Sequence, residues 1–200
     1  MTTSAPEWFG SAARNAAYQP IVQAFFLLAY LVWWLFAAPT WGAMIFGAGV
    51  VYAVVIVLFS VRNIRHAAQF PNIPTPAGAL IGKRMGVLSG VSYGTLWIAV
   101  TLLAVFDLGR WILPAVALII GVHFFPLAFI FRRRIDFLLA PIAIAFAGVG
   151  FVLAAQSDIS WPVVYAVSGI GGAIATAVYA SYLLFAYRNL RVEAGIAETR

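Results

Sequence analysis

The chain has 200 residues, of which 64% are hydrophobic and only 9% are charged. Soluble domains carry about 25% charged residues, so this composition excludes an ordinary soluble protein. The formal net charge of +6 does not indicate nucleic-acid binding, because the basic residues are dispersed between apolar segments instead of forming a patch. The absence of cysteine from the sequence excludes disulfides, thiolate nucleophiles and cysteine metal ligands.

Six apolar segments each have about the length that a hydrocarbon core about 30 Å thick requires. No Asp, Glu, Lys or Arg falls within any of them. They cover residues 20–38, 42–61, 85–106, 111–131, 137–155 and 162–187. The sequence therefore predicts an all-α integral membrane bundle of six transmembrane helices, forming a single domain over residues 1–200 with the lipid bilayer as its partner.

The positions of the basic residues predict the orientation of the bundle. With the N-terminus in the cytoplasm, all but one of the 12 Lys and Arg residues fall in cytoplasmic segments, and only Arg110 lies outside. Cytoplasmic loops of membrane proteins are enriched in these residues, so both termini are predicted to be cytoplasmic. The compact chain suits a bacterial inner membrane. The charges are expected to contact anionic lipids, and no nucleic-acid partner is expected.

Two segments outside the spans are long enough to have a role of their own. Residues 1–19 are predicted to be cytoplasmic or interfacial, where Trp8 and Phe9 favour a short helix on the membrane surface. A frayed terminus explains the same segment equally well. The predicted cytoplasmic link, residues 62–84, holds three prolines that favour extended backbone. A plain linker and a partner-binding loop both remain possible there.

Short external connections predict that successive spans pack as antiparallel helical hairpins. The second and sixth spans end alike, with Arg62-Asn63-Ile64-Arg65 in one and Arg188-Asn189-Leu190-Arg191 in the other. We therefore predict three tandem copies of a two-helix unit, an arrangement that also occurs in transporters. The alternative is that tryptophan and arginine recur at span ends simply because they suit the membrane interface.

Small residues at four-residue spacing predict where helices approach closely. In the third span they are Gly78, Gly82, Gly86, Gly90 and Gly94, and in the sixth span Gly169, Ala173, Ala177 and Ser181. We expect these two helices to pack on each other or on their copies in a homo-oligomer. Tight packing of this kind predicts that replacing Gly90 with leucine destabilises the bundle, whereas a hinge or sliding seam is the alternative interpretation.

His123 is the only histidine within a predicted span. It precedes Arg132 by nine residues, which places it about 13 Å along the helix axis from the cytoplasmic end. Pro126 cannot donate an amide hydrogen and crowds the carbonyl of Val122, so a kink with a free carbonyl is expected beside the imidazole. Small sites at the membrane midplane of transporters are built in this way. A buried histidine also satisfies its own hydrogen bonds in this way.

The predicted binding site combines this histidine with aromatic hydroxyl groups. It consists of His123, Pro126, Tyr52, Tyr93 and Tyr179, with the tyrosines as candidate hydrogen-bond partners of the imidazole and with an unidentified small-molecule ligand. No metal or cofactor is expected, because the only other histidine, His66, lies in the cytoplasmic link. No catalytic residue is assigned, since no nucleophile-elbow pattern surrounds any serine that could pair with His123.

Asp136 lies just before the fifth span and is assigned no function. A pairing with Arg132, four residues earlier, or a favourable place in the first turn of a helix explains it.

The run Gly121-x-His123-Phe124-x-Pro126-Leu127 resembles a motif of uncharacterised small six-helix bacterial membrane proteins, which implies no known activity. The three-hairpin layout is also similar to that of the small acid-resistance membrane proteins, although their residue pattern is not matched here.

Three classes of function remain open at this level. A small-solute or proton transporter or channel predicts a polar, water-accessible cavity at His123. A non-catalytic scaffold, assembly subunit or lipid-contacting stress protein predicts a packed His123 and an exposed small-residue face. An intramembrane enzyme, the least favoured, requires a second polar group within hydrogen-bond reach of the imidazole.

Overall fold

A computed structural model describes residues 5–196, and all of the regular secondary structure in that range is helical. The helices are α1 (Phe9–Leu31), α2 (Trp34–Ala37), α3 (Pro39–Ala67), α4 (Pro76–Val105), α5 (Ile112–Phe131), α6 (Arg134–Ala154) and α7 (Trp161–Glu193), with a 3-10 turn at Gly109–Trp111 before α5. Six helical stretches are long and apolar enough to cross a membrane, with α1 and α2 together forming the first. The prediction of an all-α, six-span membrane protein is confirmed.

The helices extend beyond the apolar segments from which they were predicted. The helix α3 continues to Ala67, and α4 begins at Pro76. The side chain of Thr75 caps α4 by accepting a hydrogen bond of 3.1 Å from the amide of Gly78. Within the predicted link 62–84, the part between the two helices therefore covers residues 68–75. Hydropathy locates only the apolar part of a helix, whereas polar residues continue the same backbone hydrogen bonds into water.

The N-terminal segment is part of the bundle and not a separate surface helix. The helix α1 begins at Phe9 and runs without interruption into the membrane-spanning part. Phe9, Ala13 and Ala17 are fully buried, in one cluster with Ala67 of α3 and Tyr187 of α7. Residues 1–4 of the predicted N-terminal segment lie outside the described residues.

Successive spans form the expected hairpins, and α7 lies at the centre of the bundle. The pairs α1 with α3, α4 with α5, and α6 with α7 all pack side by side. The helix α7 also packs against α1 and α5. In its apolar stretch of 18 residues 67% is buried inside the bundle, whereas the corresponding share for α4 is 6%. The helix α4 lies at the edge, where it packs along α5 and touches the turn that precedes it.

Small residues allow α5, α6 and α7 to meet closely at one level. A Cβ atom added to Gly171 of α7 would lie 2.8 Å from the Cα atom of Ala143 in α6. One added to Gly121 of α5 would lie 3.2 Å from the Cβ atom of the same alanine. Both distances are shorter than a normal contact, so glycine at these two positions permits the three backbones to approach.

The small-residue face of α7 packs against α1. One of the two expected arrangements placed this face on α4, and the structure does not have that arrangement. Gly169 lies against Tyr30 of α1, whose carbonyl oxygen would be 2.9 Å from an added Cβ atom. Ala173 and Ala177 belong to the same cluster as Tyr30. Four glycines of α4, by contrast, have open space around them, since an added Cβ atom would meet nothing within 4 Å. They are Gly82, Gly86, Gly90 and Gly94. Packing of this α4 face on a second copy stays a prediction.

Candidate functional site

The motif on α5 directs successive side chains towards three different helices. Residues turn by about 100° each along a helix, so Gly121 and His123 lie on nearly opposite sides of α5. Gly121 faces α6, and His123 faces α4. Phe124 faces α7, where its ring centroid lies 6.3 Å from that of Tyr179. The motif therefore describes how α5 packs between three neighbours.

His123 is paired with a serine of the edge helix. Ser92 Oγ lies 2.7 Å from Nδ1 of His123, and the tautomer decides which atom donates. Ser92 is the only buried residue that the structure describes on α4. It lies two positions from both Gly90 and Gly94, so the glycines face the opposite direction, away from the bundle. Sequence reasoning could propose a serine partner but could not select Ser92 from the several serines available.

The predicted tyrosines do not surround His123. The hydroxyl of Tyr52 donates to the carbonyl of Ala177 at 2.6 Å and lies 2.7 Å from Ser181 Oγ, which ties α3 to α7. The hydroxyl of Tyr179 accepts a hydrogen bond from an arginine, and Tyr93 is 45% exposed. Within residues 5–196, none of these hydroxyls bonds to the imidazole. The physical reason is that His123 points to α4, whereas Tyr52 bonds to α7.

Pro126 lies inside α5, which the structure describes as one helix from Ile112 to Phe131. The imidazole of His123 is bonded to Ser92 and not to the carbonyl of Val122 that the proline leaves without its helical partner. The predicted contact between the imidazole and the Val122 carbonyl is thus replaced by a hydrogen bond between the imidazole and the Ser92 hydroxyl of another helix. The role of Pro126 in binding stays a prediction.

An arginine turns into the bundle where α5 ends. Arg132 adopts a left-handed conformation, with φ 53°, and terminates the helix. The next residue, Arg133, donates a hydrogen bond of 2.6 Å to the hydroxyl of Tyr179. Its guanidinium carbon lies 4.4 Å from the ring centroid of Phe131. A cation over an aromatic face is stabilised by the ring quadrupole, so Arg133 is held among aromatic side chains.

Asp136 lies in the first turn of α6, as one of its two sequence-based explanations expected, but its side chain is also fully buried. Its exposed fraction is 0%, and neither carboxylate oxygen makes a hydrogen bond to a described residue. It therefore does not pair with Arg132, which was the other explanation, and the cation whose charge acts on it is Arg133. A buried ionised carboxylate without a partner is costly in an apolar environment.

A signal for this burial was present in the sequence. Asp136 shares a helix face with Leu139, Ala140 and Ala143, which follow at the spacing of successive helical turns and are all buried. The face that α6 turns towards the bundle therefore begins with a carboxylate. The hydropathy profile missed it because Asp136 stands one position before the predicted span.

The other end of the bundle holds an open recess of about 540 Å³, lined by polar and aromatic residues that include Asp107, Arg110, Trp161 and Tyr165. Arg110 donates to the carbonyls of Gln156 and Ile159, at 2.6 and 2.8 Å, and so joins the two connections at this end. His123 does not line this recess.

Neither metal ligation nor a complete catalytic group is apparent in the part of the chain that the structure describes. No group of three His, Cys, Asp or Glu side chains is close enough to hold a metal ion there. Ser92 and His123 are within hydrogen-bond distance, as an enzyme of the serine-histidine type requires. No described residue bonds to the second ring nitrogen, where such an enzyme places the group that orients the imidazole.

The chain matches no protein-family model, no curated protein and no solved structure. The fold alone therefore defines its class, which is that of multi-pass membrane proteins with six helical spans. The polar groups at its helix contacts include the Ser92–His123 pair and the group formed by Arg133, Tyr179 and Asp136.

Proposed function

We propose that the protein carries protons across the membrane. The observation that carries the proposal is the fully buried carboxylate of Asp136, neither oxygen of which has a hydrogen-bond partner among the described residues. Ionisable side chains inside a membrane bundle are rare and mark ion or proton pathways. The carboxylate lies at the end of the bundle that carries most of the arginines, which is predicted to face the cytoplasm.

The proton changes the charge balance between Asp136 and Arg133. The protonated, neutral carboxylic acid suits an apolar position, and Arg133 then remains on the hydroxyl of Tyr179 and the ring of Phe131. The ionised carboxylate attracts the guanidinium of Arg133, whose charge acts on it. Release of the proton thus draws Arg133 from Tyr179 towards Asp136, and uptake of a proton returns it to Tyr179.

His123 supplies a second protonatable group deeper in the membrane. The hydroxyl of Ser92 engages Nδ1, which leaves the second nitrogen of the imidazole to accept or donate a proton. About 13 Å of helix separates His123 from Arg132, so water or side-chain movement must connect the two levels. The ring of Tyr179, to which Arg133 donates, lies 6.3 Å from the ring of Phe124, the residue after His123. Such a gap favours slow, stepwise transfer over an open pore.

The variant Asp136→Asn tests the proposal, because asparagine has nearly the same shape and cannot bind the proton. The purified protein is reconstituted in liposomes that contain a pH-sensitive dye, and a potassium gradient with valinomycin sets the voltage. Wild-type vesicles are expected to change internal pH faster than protein-free vesicles, and Asp136→Asn vesicles are expected to match the protein-free rate. His123→Gln is expected to reduce the rate.

The matched control is Asp158→Asn, which removes an exposed carboxylate from a connection at the other end of the bundle. It is expected to leave the rate unchanged. Wild-type vesicles that respond no faster than protein-free ones would contradict the proposal, as would full activity of Asp136→Asn.

A second candidate function, that of a membrane assembly subunit, is favoured by the outward glycines of α4. These glycines leave a smooth surface on a helix that packs mainly along α5, and small residues of this spacing promote helix association in membranes. The helix that would cover this surface is a second copy of α4.

Gly90→Leu is expected to weaken self-association while leaving the melting temperature of the monomer unchanged. The reason is that a Cβ atom at Gly90 meets nothing within 4 Å, so the destabilisation expected from the sequence does not arise within one chain. Light scattering coupled to size-exclusion chromatography measures the oligomeric state. The control is Gly148→Leu on α6, which also has open space. A strictly monomeric wild-type protein would exclude assembly through this surface.

A further inference from the structure

A recess of about 510 Å³ lies between α4 and α5 at the basic end of the bundle. Its lining has a charged part and an apolar part. Lys83 and Arg84 supply two cations, and the remaining lining is apolar, formed by Leu80, Val87, Leu88, Val91 and Ile130. Among the residues that the structure describes, no acidic side chain lines the recess, so the charge of the two cations is uncompensated there.

On α4, part of the apolar lining lies deeper in the membrane than the cations. Lys83 and Val91 are eight residues apart on α4, so the apolar floor extends about 12 Å further into the membrane than the cations. Val87 and Val91 are 64% and 63% exposed, because α4 lies at the edge of the bundle and packs mainly along α5. The recess is therefore open sideways, towards the region that acyl chains occupy.

The two cations are available to a ligand. Both side chains are exposed, and neither makes a hydrogen bond to another described residue. Basic recesses between transmembrane helices at the cytoplasmic side are suited to anionic lipid headgroups. A free phosphate would satisfy Lys83 and Arg84 but would leave the apolar part of the recess unused, whereas a zwitterionic lipid would use the apolar part without neutralising the two cations.

We infer that this recess binds one anionic phospholipid, with its phosphate on Lys83 and Arg84 and an acyl chain along Val87, Val91 and Ile130. This inference is independent of proton transport, since it uses the outer side of α4 and none of the groups around Asp136. The lipid would cover the edge between α4 and α5, the hairpin that the Ser92–His123 pair also joins.

Native mass spectrometry of the detergent-solubilised protein tests the inference by titration with phosphatidylglycerol and, separately, with phosphatidylcholine of the same acyl chains. One phosphatidylglycerol is expected to bind in preference to phosphatidylcholine. The double variant Lys83→Gln/Arg84→Gln is expected to bind it about 30-fold more weakly, the effect of removing two cations near an anionic headgroup. Val91→Trp, which fills the apolar part without changing charge, is also expected to weaken binding.

The matched control is Arg62→Gln/Arg65→Gln, which removes two exposed cations from the same end of the neighbouring hairpin. It is expected to retain the lipid. Equal binding of the two lipids would overturn the inference, as would an equal loss in the control variant. Inorganic phosphate that protects the protein from thermal unfolding as well as the lipid does would show a phosphate site and would also overturn it.

Discussion

Gly171→Leu is expected to destabilise the bundle by about 3 kcal/mol or more, at the upper end of the cost of overpacking a core. The added side chain would meet backbone atoms, since its Cβ atom would lie 2.8 Å from Cα of Ala143 and 3.1 Å from the carbonyl oxygen of Ile142. A backbone cannot rotate aside as a flexible side chain can, so α6 and α7 must separate. Thermal unfolding followed by intrinsic fluorescence in detergent measures the effect.

Gly148→Leu serves as the control for this experiment, because it makes the same substitution on a transmembrane helix at a site with open space. The two variants add equal apolar volume, so any difference between their melting temperatures reports the packing of Gly171. If both melt like the wild type, the close approach of α6 and α7 at this level is wrong.

Phe9→Ala is expected to cost about 3–5 kcal/mol in the stability of the basic end, the usual range for a buried phenylalanine. Phe9 is fully buried, and its ring lies edge to face with Phe70 at a centroid distance of 4.8 Å. Arg14 of the same helix donates to the carbonyl of Phe70 at 2.7 Å. This end of the bundle lies outside the apolar segments, so the hydrophobic effect stabilises it as it does a soluble core.

Hydrogen exchange of the amides in residues 9–17 measures this loss locally. Phe25→Ala on the same helix is the control, since Phe25 is 68% exposed and is expected to face lipid. Protection of residues 9–17 should fall in Phe9→Ala and persist in Phe25→Ala. Unchanged protection in the first variant would mean that the start of α1 is not held by this cluster.

Most of the fold could be predicted from the sequence because a bilayer allows few alternatives. A chain segment that crosses hydrocarbon must satisfy its own backbone hydrogen bonds, so a long apolar run becomes a helix whatever its neighbours are. Short connections then force adjacent spans together. The ends of the helices were less predictable, since α3 and α4 continue into polar sequence at Arg62 and Arg84.

The site was predicted less well than the fold, because the helical period reveals which residues share a face and not which helix that face meets. His123 was identified from its isolation in apolar sequence, but its partner Ser92 depends on the packing of α4 against α5. The tyrosines were assigned to His123 without knowledge of which helices meet, and Tyr52 instead bonds to α7. Their place in a binding site stays a prediction.

The sequence by itself determined six spans, three hairpins and the end of the bundle where the arginines gather, since these follow from local composition and chain connectivity. The tertiary structure alone decided that α7 is central, that the glycines of α4 face outwards and that Asp136 is sealed from solvent with no hydrogen bond to another described residue. The physical reason is that burial of a side chain depends on neighbours distant in sequence, and many helix arrangements are compatible with one hydropathy profile.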